Sequence, residues 1–196
     1  MRGLAAALVV FVATALAGAC SPGPAAPRST QQGSYTVTAP LFASVADTDA
    51  QACFFVFFTY PPQCASGIPV DGVDVAAIAG AQTGRNGINT PSMRLVGTWR
   101  DGRLSLTAPP RPAAVTGVPL TKCDGAGPSV NPQGTEAPIN EDLAALAARG
   151  IIVLMVGMCD AQRVDVIVAV MDAKTSAELE RDYGPLTVNG WLTPTS

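Results

Sequence analysis

The sequence predicts an α+β protein: an N-terminal antiparallel β region, forming a small barrel or a sandwich, followed by an α-β-β-α-β C-terminal unit. Three observations carry this. Before residue 110 the apolar stretches are short, rich in aromatic and β-branched residues, and punctuated by Gly and Pro. After Asn140, helix-start residues appear twice, and two apolar runs, 151–158 and 164–171, lie between them. A final apolar segment, 186–192, then follows the second helix, giving strand, helix and strand in succession.

The chain opens with Met1 and Arg2, then an uncharged run from Leu4 to Ala19 that ends on small residues. A membrane-crossing helix needs about 20 apolar residues. This shorter run reads as an export leader over 1–19. Ala17-Gly18-Ala19 has the form of an ordinary cleavage site. Ala17-Gly18-Ala19-Cys20 also resembles the lipobox of bacterial lipoproteins, with Ala17 where that family prefers Leu. The resemblance implies a diacylglyceryl group on the Cys20 thiol and a mature chain that begins there. Cysteine arithmetic points the same way. Of Cys20, Cys53, Cys64, Cys123 and Cys159, removing the first leaves four that can pair completely. Two acyl chains on Cys20 suffice as an anchor, since each buried methylene contributes about 0.8 kcal/mol. Residues 20–34, rich in Pro, Ser, Gln and Gly, read as a tether.

The β-rich region is expected over 35–110. Tyr35–Thr38 is strand-like, and Cys53–Tyr60 more strongly so, with apolar residues on both faces that predict burial on both. Pro61-Pro62 ends it. Ile68–Ile78 alternates loosely through Val70, Val73 and Val75 and reads as another strand; Gly80–Pro91 reads as a polar loop. The clearest hairpin pairs Met93–Trp99 with Arg103–Thr107 about Arg100-Asp101-Gly102, with Gly102 taking the positive φ. Residues 111–139 are expected to be an irregular connection, because 109–138 hold seven of the seventeen prolines. The α+β C-terminal unit spans 140–196, packed with the β region. Asn140 is its expected N-cap, with a helix over 141–149 closed by Gly150. Runs 151–158 and 164–171 form an antiparallel pair. Thr175-Ser176-Ala177-Glu178 is a capping box opening a helix to Tyr183, which Gly184 and Pro185 end. The last strand, 186–192, should lie parallel to 164–171.

Two groups of residues resemble those of uncharacterised exported proteins and lipoproteins from high-GC Gram-positive bacteria. One is Tyr60-Pro61-Pro62-Gln63-Cys64 with Gly67. The other is Leu95-Val96-Gly97-Thr98-Trp99 followed by Gly102, Leu104, Leu106-Thr107 and Pro109-Pro110. The segment from Val164-Asp165-Val166 to Tyr183-Gly184-Pro185 is similar to the same group. The likeness implies the address and the fold continuity, and no activity.

Composition narrows the chemistry. There are 12 basic and 15 acidic residues, a net charge of −3 that becomes −4 without Arg2, and only two lysines, Lys122 and Lys174. Mild acidity without a basic cluster argues against nucleic acid. The complete lack of histidine removes Ser-His-Asp and Cys-His catalysis, histidine zinc sites and haem ligation by His. No cofactor or metal is expected.

Four mature cysteines in an oxidising compartment predict two disulfides. Three pairings are possible; Cys53–Cys64 with Cys123–Cys159 is favoured because the first closes a small loop across Pro61-Pro62. A redox role is disfavoured for want of a Cys-x-x-Cys or a basic setting. Lys174 with Thr175 or Ser176 suggests Ser-Lys chemistry, but helix capping claims Thr175. Asp71 with Asp74, or Glu178, Glu180 and Asp182, offers paired carboxylates; a solvated face is the plainer account, with Glu178 and Asp182 repelling slightly at i, i+4. Gly80–Gly87 is glycine-rich without the Gly-Lys-Ser/Thr ending of a phosphate loop, and reads as a loop at the rim of a binding surface. Trp99, Trp191, Tyr60 and Tyr183 read as core edges before sugar- or peptide-stacking platforms.

The expectation is therefore a non-enzymatic lipoprotein on the outer face of the cell membrane, or a secreted protein if the lipobox is unused. It would bind an envelope protein, peptide or wall ligand through loops far from the tether. Alternatives are a histidine-free carboxylate-dependent hydrolase, or a structural accessory subunit of a membrane complex.

Overall fold

The computed structural model describes residues 33–45, 49–57, 63–114, 132–160 and 163–195. The expected leader, residues 20–32 of the expected tether with Cys20, Tyr60 and Cys123 lie outside them; Gly33 and Ser34, expected to be the end of the tether, instead open the first strand. Cys159 falls on a described strand, but its side chain is outside the description.

The first strand, β1, runs from Gly33 to Ser44, and alternate residues Tyr35, Val37, Ala39 and Leu41 are buried. That period of two is the pattern of a strand with one face on a core. β2 (Ala50–Phe57) and β3 (Gln63–Asp71) form an antiparallel arm with each other. A short 3-10 turn, Val75–Ala77, follows, with Asp74 Oδ1 accepting from the Ala76 N–H at 3.0 Å. The strand expected over 68–78 therefore stops at Asp71. Gly72 takes a φ of +83° there, and a turn replaces the continuation. The Gly80–Pro91 loop is shorter than expected: β4 (Gln82–Thr83) pairs with β5 (Gly87–Arg100). The hairpin of β5 with β6 (Arg103–Leu106) turns where the sequence places it, with Asp101 and Gly102 at φ +50° and +78°. Both central residues at positive φ match the right-handed twist of the flanking strands. Residues Arg111–Pro112, expected to be irregular, add β7 to β5.

These strands close. β1 pairs with β2, β2 with β3, β3 in parallel with β6, β6 with β5, and β5 back to β1. Followed through Trp99, Leu104, Val70 and Ala50, the register leaves β1 at Gly33 and returns to it at Ala43, ten residues on. Such an offset forces strongly tilted strands and a narrow interior that side chains fill. Leu41, Ile68, Leu95 and Leu104 fill it here, all fully buried. Counting only barrel strands, the order is 1-2-3-5-4-1, with third and fifth parallel. The barrel is therefore closed, with one parallel contact among otherwise antiparallel neighbours.

The C-terminal unit is built on a three-stranded sheet. β8 (Val153–Asp160) is antiparallel to β9 (Arg163–Val168), and β9 is parallel to β10 (Thr187–Gly190) across a crossover helix. All six residues of β9 are buried because the sheet has two covers. Val164, Val166 and Val168 share a cluster with helix residues Ile139, Leu146 and Leu179; Ile167 and Ala169 belong to the barrel's cluster. The result is three layers: helices, sheet and barrel. A final short strand, β11 (Thr193–Pro194), leaves the unit to pair with Tyr35 and Thr36 of β1.

The helices correct two sequence expectations. α1 spans Pro132–Glu141, inside the segment expected to be irregular, and Asn140 lies in its last turn instead of capping a later helix. Pro132 opens it, where the missing N–H costs nothing. Pro138 forgoes one helical bond, but burial of Ile139 and Thr135 outweighs that. α2 (Leu143–Ala148) then presents Leu146 to the core, and Gly150 follows at φ +87°. α3 (Ala173–Tyr183) begins one turn before the expected capping box. Its N-cap is Asp172, whose Oδ1 accepts from the Thr175 N–H at 2.6 Å, so Thr175 is a buried helical residue. Gly184, at φ +85°, ends the helix as expected.

Candidate functional site at the two ends of the barrel

Because β1 and β2 are antiparallel, the free end of the β2–β3 arm points the way β1 begins, at Gly33. The arm parts from β1 early. β2 pairs with β1 only through Ala50–Ala52, and β11 occupies the place beside Tyr35 and Thr36. A register irregularity follows at Cys53–Val56. The cysteines expected to pair do so: Cys53 and Cys64 form a disulfide across the arm, with Cα atoms 5.4 Å apart.

The consequence for the aromatic run Phe54–Phe57 differs from the expectation of burial on both faces. Phe54 is buried and meets Trp191 edge-on, ring centres 5.5 Å apart. Phe55 and Phe57 point the other way and are 48% and 52% exposed, their rings edge-to-face at 5.8 Å. Among the described residues only the barrel-side face of the arm has a cover, where the C-terminal segment supplies Trp191 and Leu192. Sequence reasoning missed this exposed pair. Its only trace is the absence of any charged residue between Asp49 and Asp71.

At the other end of β1, Val45 is 70% exposed, and its N–H donates to the Asn86 carbonyl at 3.2 Å. The Gly80–Gly87 loop thus sits beside the β1–β2 turn. Gly87 is held close against Ala43, whose carbonyl oxygen occupies the space a Cβ would need. The β5–β6 turn at Asp101-Gly102 is tight, and Gly102 lies against Ile152 of the C-terminal unit.

The candidate carboxylates are dispersed. Arg103 donates to Asp71 (Nη2 to Oδ1, 2.7 Å; Nε to Oδ2, 3.0 Å) and to Asp49 Oδ2 at 3.2 Å. The guanidinium hydrogen bond holds the Asp71 carboxyl below its ordinary value, and the Arg103 pKa is raised in return. Asp74 caps its turn instead of joining Asp71. Glu178 and Asp182, expected to repel, share a cation: Arg149 Nη1 is 2.7 Å from Asp182 and 4.0 Å from Glu178. Lys174 lies 3.7 Å from Glu178, and Ser176 Oγ 3.3 Å from Glu180. Lys174, Thr175 and Ser176 are thus spent on the helix. Tyr183 donates to Asp142 Oδ2 at 2.9 Å, and burial, followed by that bond, raises its pKa. Trp99 and Trp191 are buried in the core. Among the described residues, no three His, Cys, Asp or Glu side chains gather as metal ligands, and no helix is long and apolar enough to cross a membrane.

Two buried charged residues, Arg163 and Asp165 of β9, also escaped sequence reasoning, because their strand reads there as a plain apolar run. The chain matches no family model, no curated protein and no solved structure.

Proposed function

We propose that this chain is an extracytoplasmic, lipid-anchored binding domain without catalytic activity, held to the outer face of the cell membrane through Cys20. The Cys53–Cys64 disulfide carries the reading, since such bonds persist in oxidising compartments. The export leader and the odd fifth cysteine support it from the sequence. The carboxylates that would serve a histidine-free hydrolase are instead committed to Arg103, Arg149 and a capping turn. Its ligand is a protein, peptide or wall component met at the distal mouth of the barrel, where Val45 and the Gly80–Gly87 loop lie together.

Intact mass of the native protein tests the anchor. The expected result is a diacylglyceryl adduct on an amino-terminal Cys20, with Cys20→Ser released from the membrane fraction. An unmodified residue 20 and unchanged fractionation of Cys20→Ser would overturn it.

A further inference from the structure

We infer that the β2–β3 arm is a membrane-seating element: Phe55 and Phe57 enter the outer surface of the bilayer to which the chain is tethered, fixing the barrel's orientation. This rests on the anchor proposed above. Three observations converge on the occupant being lipid.

The first is direction. The arm and the entry of the chain at Gly33 face the same way, because β1 and β2 are antiparallel. Cys20 and Gly33 are thirteen positions apart, so an acylated Cys20 holds that end of the barrel within about 45 Å of the bilayer. Val45, just past the other end of β1, lies twelve positions from Gly33, at most about 40 Å away along the tilted strand.

The second is chemistry. Phe55 and Phe57 stand on one face, half exposed, their rings in contact. No charged residue occurs between Asp49 and Asp71, so seating the arm strips no ion of its water. Aromatic and aliphatic side chains are the residues that enter the headgroup and acyl boundary. The third is stiffness. The Cys53–Cys64 bridge and the packing of Phe54 on Trp191 set the arm before it meets lipid. Little conformational freedom is left to lose on contact. The mature chain is mildly acidic and offers no basic cluster, so the contact is apolar, not a polybasic attraction to anionic headgroups.

The test places a reporter at each end of β1. Full-length protein carrying Phe57→Trp or Val45→Trp is added to phosphatidylcholine vesicles containing doxyl-labelled lipid, with the parent, whose Trp99 and Trp191 are buried, as baseline. Phe57→Trp is expected to shift to shorter wavelength and be quenched beyond the baseline, while Val45→Trp is not. Equal behaviour of the two reporters would overturn the inference and leave a protein occupant for the arm. A second measurement does not need the acyl anchor. In the Cys20→Ser chain, Phe55→Ser/Phe57→Ser should lower co-sedimentation with the same vesicles about tenfold, with no loss of parent binding as salt rises. Sedimentation unaffected by the double substitution, or abolished by salt, also refutes it. Intact mass at Cys20 reports on the anchor separately, so failure of lipidation is not confused with failure of the arm.

Discussion

Removing the staple from the β2–β3 arm gives the sharpest test of how the fold is held. Cys53 and Cys64 close a loop with a sequence separation of 11, and the chain-entropy relation for such a loop gives about 2.8 kcal/mol at 25 °C. Cys53 is buried, so alanine is the proper replacement: serine would add an unpaired hydroxyl to the interior. The double variant Cys53→Ala/Cys64→Ala should therefore lose about 3 kcal/mol in urea unfolding and roughly 6–11 °C in Tm for a domain of this size. Its m-value should be unchanged or slightly raised, because the uncrosslinked denatured chain exposes more surface. A companion reading follows emission from Trp191, which packs on Phe54 beside the bridge. That emission should move only with global unfolding if the arm stays seated. A loss below about 1 kcal/mol would refute the reasoning, since the denatured chain would then hold the arm closed by itself.

Four further outcomes are expected. Gly97→Ala should destabilise by about 2 kcal/mol or more in chemical denaturation, because its Cβ would meet the Ser105 carbonyl and Leu104 in the barrel wall. Gly157→Ala, which meets nothing within 4 Å, should be near neutral. Asp172→Ala should cost about 1 kcal/mol of thermal stability through the lost cap on α3, and a null result would return the capping role to Thr175. Asp71→Asn should flatten the acid limb of the stability profile. The folded carboxyl titrates below its unfolded value, so its contribution is complete above about pH 4 and is lost as pH falls further. With Asp71 and Arg103 both partly solvated, the effect at neutral pH stays within about 1 kcal/mol, and a larger one would speak for a buried pair.

What the sequence disclosed was local. The Arg100-Asp101-Gly102 turn and the stop at Gly184 each depend on neighbours a few residues away and stand where turn and cap chemistry place them, and the β9–α3–β10 crossover follows from one short strand-helix-strand succession. The disulfide was legible too, because a small loop across two prolines limits how far its ends can part. Closure of the barrel was not. The parallel contact of β3 with β6 joins Val70 to Leu104, and no periodicity encodes such a meeting. The same limit hid the character of Phe55 and Phe57. Whether an aromatic residue is covered depends on which distant strand lies over it, and β11 covers β1 instead. Helix α1 was obscured by Pro138, since a proline reads as a break until a buried Ile139 is known to hold the turn. The carboxylates misled for another reason: Arg149 is 33 positions from Asp182, so their attraction is invisible in the helix's own spacing.

The pairing of Thr193 with Thr36, and the bond from the Thr195 N–H to the Ser34 carbonyl at 2.9 Å, carry a consequence for biogenesis. A wall beside Tyr35 that awaits residues 193–195 cannot be completed before that stretch has left the ribosome, so this seam is among the last to close.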